Sequence, residues 1–488
     1  MGKKFEYLKA NDQYAQYWYR EAANSIIIYT EPRRHTYRSI FSCDRDRVMY
    51  CSAFRRLSSK TQIFNAQTAD NLRTRLTHTL EVAQIARTIA CQLGLDEELT
   101  EAIALGHDVG HTPFGHVGER TLNSFSRGQD KRQVVEGIAV SEGSYGFKHN
   151  LQSVRVLVEY SEGVKFSNFM LFGVREHSKR FWNELCDVKF YDIYENYCSY
   201  SHNQQLYPAW SFEAFIVKWA DEVAQRHHDI EDAFLQKIIP ADDIVEKVKI
   251  LAGLISDDNI TQKLERLKTE TDKLNRRDFS SMQYSFAHTL SSFLVDVYVT
   301  VLIKEFTRVL RHFSNTYEIK TSEDFYKKYL DISVDEIRNI MKFEDTKLYK
   351  IDKQLGQNLK YSILDSYAVQ RMDGKGAYII RKLVRAYLSN PQQLPSEYVN
   401  RFIKVEIIRL LDPDRLEGFL NVIRSELGES FSENINIWKD YECREVLRII
   451  SKDPDLFGMT YDALMRIVFD YVAGMTDSYA TKQRIELY

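Results

Sequence analysis

The sequence predicts an all-α protein, and three observations carry that expectation. Only 8 of the 488 residues are proline, and none falls between Pro240 and Pro391, so nothing in that interval forces a helix to break. Apolar residues recur in several windows at the i, i+3, i+4, i+7 spacing of a half-buried helix. Hydrophobic residues make up 44% of the chain and aromatic residues 13%, which supports a large buried core and excludes a disordered chain.

The length admits about two to four domains. Residues 1–49 read as an N-terminal arm, 50–240 as a helical core, 241–355 as a helical connecting region and 356–488 as a C-terminal helical region. Pro240 and Gly356 mark the last two boundaries. Within the core, Val82, Ile85, Ala86 and Ile89 share one helical face, with His78 one turn earlier. Leu151, Val154, Leu157 and Val158 repeat the pattern, as do Ile216, Trp219, Ala220 and Val223, which place Asp221 inside a helix. The segment from Gly128 to Gly146 is Gly-rich and polar and reads as a loop beside the core. Thr261 to Arg277 is charged with sparse apolar positions and reads as an exposed helix. Arg371-Met372-Asp373-Gly374-Lys375-Gly376 has closely spaced glycines and reads as a turn between helices.

The net charge is −3, from 66 basic and 69 acidic residues, which argues against wholesale coating of nucleic acid. The six cysteines (43, 51, 91, 186, 198 and 443) show no CxxC spacing and read as free thiols in a reducing compartment. Met1-Gly2-Lys3-Lys4-Phe5-Glu6 has no apolar signal region, and Glu6 departs from the myristoylation pattern. The most apolar run, Phe293 to Ile303, contains Asp296 and is too short to span a bilayer. The expectation is a cytoplasmic protein with no membrane partner.

The chemistry concentrates in His107-Asp108-Val109-Gly110-His111, followed by His116 and Glu119. An adjacent His-Asp pair offers an imidazole and a carboxylate ligand, a combination suited to a divalent transition metal more than to oxygen-preferring Mg²⁺. His78 and Asp221 are candidates for the remaining ligands. A lone histidine is commonly a hydrogen-bonded core residue, but a carboxylate on an apolar helical face is costly to bury unless paired or metal-bound. The ordered set His…His-Asp…Asp favours ligation. His116 and Glu119 remain for proton transfer. His111 reads as an outer residue of the site or a solvent-facing one. Neighbouring helix positions point about 100° apart, so His227-His228-Asp229 reads as a structural histidine pair with at most one ring facing the cleft.

The pattern resembles the HD superfamily of metal-dependent phosphohydrolases and, more closely, the deoxyguanosine triphosphate triphosphohydrolases. The strings that carry the resemblance are Asp44-Arg45-Asp46-Arg47, Ala53-Phe54-Arg55-Arg56-Leu57, Lys60-Thr61-Gln62-Ile63-Phe64 and Thr74 to Val82. They continue with Gly106 to Glu119, Phe147 to Ser153, Ala220-Asp221-Glu222 and Asp470 to Asp477. The resemblance implies an all-α fold with an HD-domain helical core and helical additions on both sides. It implies that His78, His107, Asp108 and Asp221 bind one divalent ion, Mn²⁺ or Mg²⁺ first, with Fe²⁺ or Co²⁺ also compatible. It assigns His116 to catalysis near the scissile phosphate, with Glu119 as its acidic partner. Arg75 would reach the phosphates, Gln62 and Asp229 would meet the sugar hydroxyl, and Asn150 would lie close to bound nucleotide. Lys218, with Arg55, Arg56 and Lys60, would add positive charge for the phosphates, and Tyr471 and Asp477 would shape the base pocket. Gln225 stands where many relatives carry a tyrosine that packs on the sugar, so that contact is not expected here.

The expected activity is hydrolysis of dGTP, or of other dNTPs, by water attack at the α-phosphorus, releasing deoxynucleoside and tripolyphosphate. The resemblance also implies a homo-oligomer and an allosteric nucleotide, and single-stranded DNA is a further candidate partner. The rival expectations are an HD phosphohydrolase acting on another nucleotide, and a nucleotide- or single-stranded-DNA-binding protein without turnover.

Overall fold

The computed structural model describes residues 4–20, 27–30, 36–62, 73–128, 146–161, 163–178, 196–202, 205–255, 257–275, 282–428 and 435–488. The loop expected between Gly128 and Gly146 lies outside them apart from its end glycines, as do Ile63 and Phe64. The longer helices are α1 (Ile40–Tyr50), α2 (Arg75–Leu93), α3 (Glu97–Gly106), α4 (His116–Ser126), α5 (His149–Glu159), α6 (Asn168–Glu176), α7 (Phe212–Leu235) and α8 (Ala241–Ala252). They continue with α9 (Asp258–Leu274), α10 (Gln283–Thr316), α11 (Lys347–Leu359), α12 (Tyr367–Ser389), α13 (Pro413–Leu427), α14 (Asp440–Lys452), α15 (Pro454–Gly474) and α16 (Asp477–Leu487).

The all-α expectation holds, with two short exceptions. Antiparallel ribbons join β1 (Tyr17–Arg20) to β2 (Ile27–Thr30) and β3 (Ser199–His202) to β4 (Gln205–Pro208). Each contains aromatic or β-branched residues, which suit a pleated surface.

The predicted apolar faces are the ones that pack. On α2, Val82, Ile85, Ala86 and Ile89 are fully buried, and each larger aliphatic contributes about 1.5–3 kcal/mol by leaving water. Thr74 caps this helix in a reciprocal box with Thr77, and Gly94 ends it in the left-handed region at φ 79°, where a Cβ would be strained. Ile216, Ala220 and Val223 are buried on α7, while Trp219 donates its indole N–H to the Met341 carbonyl at 3.0 Å. Helix α2 packs on α3, α7 and α10.

Two apolar cores result. The first gathers the central helices and the connecting region from Phe5 to Val369. The second gathers Leu122 and Phe125 of α4, Phe147, and the chain from Ile379 to Ala480. Thus α4, which begins at His116, rests on the C-terminal helices.

The apolar run Phe293 to Ile303 belongs to α10, a helix of 34 residues that is long and apolar enough to cross a membrane by length and composition. Sequence reading took only its central portion. Its apolar side is buried against α7 and α9 as a core helix.

The segment Arg371 to Gly376 is not a turn. It lies inside α12. A Cβ on Gly376 would come within 2.8 Å of Phe114 and 3.1 Å of Val117, so this glycine permits close approach of α12 to α4. Gly-x-Gly signals missing side chains, and here the missing side chain serves packing instead of chain reversal.

Candidate metal and catalytic site

His107, Asp108 and Gly110 sit in the turn that follows α3. Gly110 is required there: a Cβ would lie 2.2 Å from the Ser153 amide nitrogen of α5. The same amide turn is tied to α5 by Ser153, whose hydroxyl donates to the His107 carbonyl and accepts from the Gly110 amide. His107 Nδ1 lies 2.6 Å from the Ala104 carbonyl. A carbonyl only accepts, so Nδ1 carries the proton and the lone pair is on Nε2. That Nε2 is buried with no hydrogen-bond partner among the described residues.

His78, His107 and Asp221 converge from α2, the turn after α3, and α7. His78 Nε2 is 3.0 Å from Asp221 Oδ1, and His107 Nε2 is 3.8 Å from the same oxygen. Asp108 Oδ2 is also 3.8 Å from His107 Nε2, but this oxygen is engaged by the Arg75 guanidinium. Burial opposes ionisation of both carboxylates. Arg75 and His107 nevertheless hold Asp108 well below the usual range, and His78 and His107 do the same for Asp221. His78, His107 and Asp221 bring one ligand atom each within 4.8 Å of one another, a set that could hold a divalent cation, whereas Asp108 stands outside this group with its nearer oxygen on Arg75.

His78 is itself held from behind. Its Nδ1 is 3.2 Å from His228 Nδ1, and His228 Nε2 is hydrogen-bonded to Glu81. Burial keeps His228 well below the ordinary histidine range, so it has one proton. Donation of that proton to the carboxylate leaves His228 Nδ1 to accept from His78, which turns the His78 Nε2 lone pair toward Asp221. The pair at 227–228 is therefore split: His228 supports a ligand, while His227 lies 3.1 Å from Glu81. We expect His228→Ala to weaken Mn²⁺ binding by about 10–100-fold, the usual effect of losing a partner behind a ligand. Competition titration against a fluorescent chelator reads this directly, and unchanged affinity would remove the relay.

A second cluster adjoins the first. His116 begins α4 with its side chain 48% exposed, and its Nδ1 is 3.3 Å from Glu119 Oε2. Glu119 is buried, also meets His149 Nδ1 at 2.9 Å and lies 3.4 Å from Lys148. Burial would raise its pKa, but His149 and His116 hold it well below the carboxylate range. Burial would lower His149, but Glu119 raises it above the ordinary range. Of the two readings of His111, the solvent-facing one fails. His111 is fully buried, stacks on His149 at 4.7 Å and meets His116 at 5.1 Å, and burial drops it well below the histidine range.

The other expected residues are placed as follows. Arg75 is buried, with Nε and one terminal nitrogen lacking hydrogen-bond partners among the described residues. Gln62 is buried with Oε1 equally unpartnered. Asn150 donates to the Arg175 carbonyl at 2.6 Å. Asp229 is buried, and burial, with Asp232, Glu222 and Asp221 nearby, pushes it to about 8 against the pull of Arg226. Lys218 is half-buried on α7, one turn before Asp221. Tyr471 lies in the second core, where its ring meets Tyr398 at 4.8 Å and its hydroxyl meets Tyr479 at 3.2 Å.

Lys60 departs from its expected place among phosphate-binding cations. Its ammonium is buried against the carbonyls of His111 and Ala473, and burial lowers it to about 7. Asp477 accepts from the Thr61 and Phe114 amides, each at 3.0 Å. Lys60 and Asp477 together pin the loop His111 to Gly115, in which Phe114 and Gly115 both have positive φ.

His149 and His177 had no role assigned from sequence, and His228 was read only as half of a structural histidine pair. His149 stood inside a string that carried the resemblance, so its position gave a signal. His177 had none, since a single histidine after an apolar helix is ordinary.

This fold, with its His and Asp cluster, defines a metal-dependent HD phosphohydrolase: the HD domain family matches residues 75–226, and the phosphohydrolase-associated domain matches residues 455–484. Curated relatives extend the match over most of the chain. A deoxyguanosinetriphosphate triphosphohydrolase-like protein of Geobacter metallireducens is 32% identical, covering 76% of this chain and 82% of its own length. Proteins of the same description from Neorickettsia sennetsu and Bordetella pertussis are 31% and 33% identical, covering 80% and 76% of this chain and 88% and 85% of theirs. The chain belongs to the deoxyguanosinetriphosphate triphosphohydrolase-like family of HD-domain phosphohydrolases.

Proposed function

We propose that the protein hydrolyses dGTP, and other dNTPs to a degree set by its base pocket, to deoxynucleoside and tripolyphosphate. The observation that carries this reading is the pairing of half-exposed His116 with buried Glu119 in a chain that also gathers His78, His107 and Asp221, with Asp108 next to His107. A divalent ion there would neutralise phosphate oxygens and lower the pKa of a water molecule.

The chain's own residues supply the rest. Positioning and charge stabilisation dominate phosphoryl chemistry, and Arg75 offers the phosphates two guanidinium nitrogens that have no hydrogen-bond partner among the described residues. Its third nitrogen is fixed by Asp108, which sets the plane of the group. Glu119 fixes His116 through Nδ1 and leaves the opposite nitrogen to deliver a proton to the departing 5′-oxygen. Gln62 Oε1 and Asp229 Oδ1, without hydrogen-bond partners among the described residues, are acceptors of the kind a sugar hydroxyl requires. The family name of the relatives supports the substrate class.

Chromatography of the products from each of the four dNTPs with Mn²⁺ tests the reading. Intact tripolyphosphate is expected, with dGTP consumed fastest. Release of orthophosphate would instead mark a phosphomonoesterase, and binding without consumption would mark a non-catalytic protein.

A further inference from the structure

We propose that Asp477 and Gly376, both from the C-terminal helices, are positioning residues for His116. The proposal rests on the reading of His116 as the donor of a proton to the 5′-oxygen.

His116 is the first residue of α4, so its ring is aimed by the backbone that leads into the helix. That backbone does not hold its shape unaided. Phe114 has φ 60°, a region that a Cβ disfavours. Gly115 follows at φ 63° and ψ −145°, a pairing suited to glycine. Strained conformations of this kind persist where surrounding groups over-determine them. Within the loop, the Thr112 hydroxyl donates to the Gly115 carbonyl at 2.9 Å. Further restraints come from the far end of the chain.

Asp477 is the first residue of α16, and Thr476 caps that helix by accepting from the Tyr479 amide. The Asp477 carboxylate is buried and faces the HD core instead. Its Oδ1 accepts from the Phe114 amide at 3.0 Å, and Oδ2 accepts from the Thr61 amide at 3.0 Å and from the Thr61 hydroxyl. One carboxylate thus joins two backbone strips, one ending two residues before His116 and the other adjoining Gln62.

Gly376 of α12 seats the same loop. A Cβ there would lie 2.8 Å from the Phe114 Cβ and 3.1 Å from Val117, the residue after His116. Glu119 does a different job. It lies on α4 with His116, so it orients the ring relative to the helix, whereas Asp477 and Gly376 set the entrance of the helix itself. A misplacement of about 1 Å can cost about a hundredfold in rate, so a small shift of this entrance registers in turnover.

Leaving-group dependence separates positioning from plain support of the fold. In the reaction the water oxygen joins the α-phosphorus, the bond to the 5′-oxygen breaks, and that oxygen takes its proton from His116. In a dGTP analogue with sulfur in place of the 5′-oxygen, the thiolate departs without a proton, because thiols ionise near pH ~8.5. Asp477→Ala releases the Phe114 amide, and Gly376→Ala presses on the Phe114 side chain. In the full-length, Mn²⁺-loaded protein each variant is expected to lose about 10–100-fold in kcat on dGTP, with KM little changed and turnover of the thio analogue largely kept. His116→Ala should show the same selectivity. A variant that loses equally on both substrates, or loses nothing, removes its residue from the positioning role while the reading of His116 stands. Absence of selectivity in His116→Ala overturns that reading and the proposal with it. Should Asp477→Ala fail to fold, Gly376→Ala decides by the same comparison.

Discussion

Replacing His107 by alanine is expected to lower dNTP turnover by about a thousandfold or more, since a catalytic metal supplies several kcal/mol and each 1.4 kcal/mol is tenfold in rate. The variant removes an Nε2 that has no hydrogen-bond partner among the described residues and a ring whose Nδ1 donates to the local Ala104 carbonyl. The circular dichroism spectrum should therefore be preserved while Mn²⁺ affinity falls. Asp108→Ala is expected to be equally inactive but less stable, because it leaves the buried Arg75 guanidinium without its counterion. Full turnover by the Mn²⁺-loaded His107 variant, measured as tripolyphosphate release, would sink the assignment of this cluster to catalysis.

The second large effect is on stability. Arg155 of α5 is fully buried and ties two C-terminal carboxylates to the HD core: Asp470 at 2.8 Å and Glu406 at 2.8 Å. Tyr160 and Gln152 also donate to Asp470, and Arg409 supports Glu406. Breaking a buried pair from one side costs about 3–5 kcal/mol, and these remaining partners place Arg155→Ala near the lower end. Chemical denaturation at neutral pH should show the loss as a lower midpoint with an unchanged slope.

The pH dependence has a definite sign. Arg155 and its neighbouring cations overcome burial to hold Asp470 down at about 2 and Glu406 below its ordinary value. A carboxylate with a depressed native pKa contributes stability above its unfolded value, near 4, and loses it as pH falls through the native value. Wild-type protein should thus weaken between about pH 4 and 2. Without Arg155 the native values rise, and acid unfolding should begin at higher pH. Coincident acid transitions for the two proteins would remove Arg155 from the balance.

Much of this arrangement was legible in the chain. The helical faces on α2, α5 and α7 were readable because a buried stripe must repeat near 3.6 residues. The candidate ion-binding cluster was readable because polar side chains on otherwise apolar segments demand a partner, and His78, His107 and Asp221 found one another, with Asp108 outside the group. Three features escaped for physical reasons. Gly376 was read as a turn because sequence does not reveal that another helix lies against a missing Cβ. Lys60 was read as a phosphate cation because its carbonyl partners are set by tertiary structure, one of them at Ala473. His177 and His228 carry no periodic signal, and only the crossing of α2, α6 and α7 gives them neighbours.

The clamp around His111 to Gly115 carries a kinetic corollary. Lys60 and Ala473 are 413 residues apart in the chain, and Thr61 and Asp477 are 416 apart. Helices form from nearby residues within about microseconds, whereas contacts of such wide separation close only after most of the conformational search is over. Helicity and competence should consequently be separate events during renaturation, the first arriving early and the second waiting for both extremities of the polypeptide to meet.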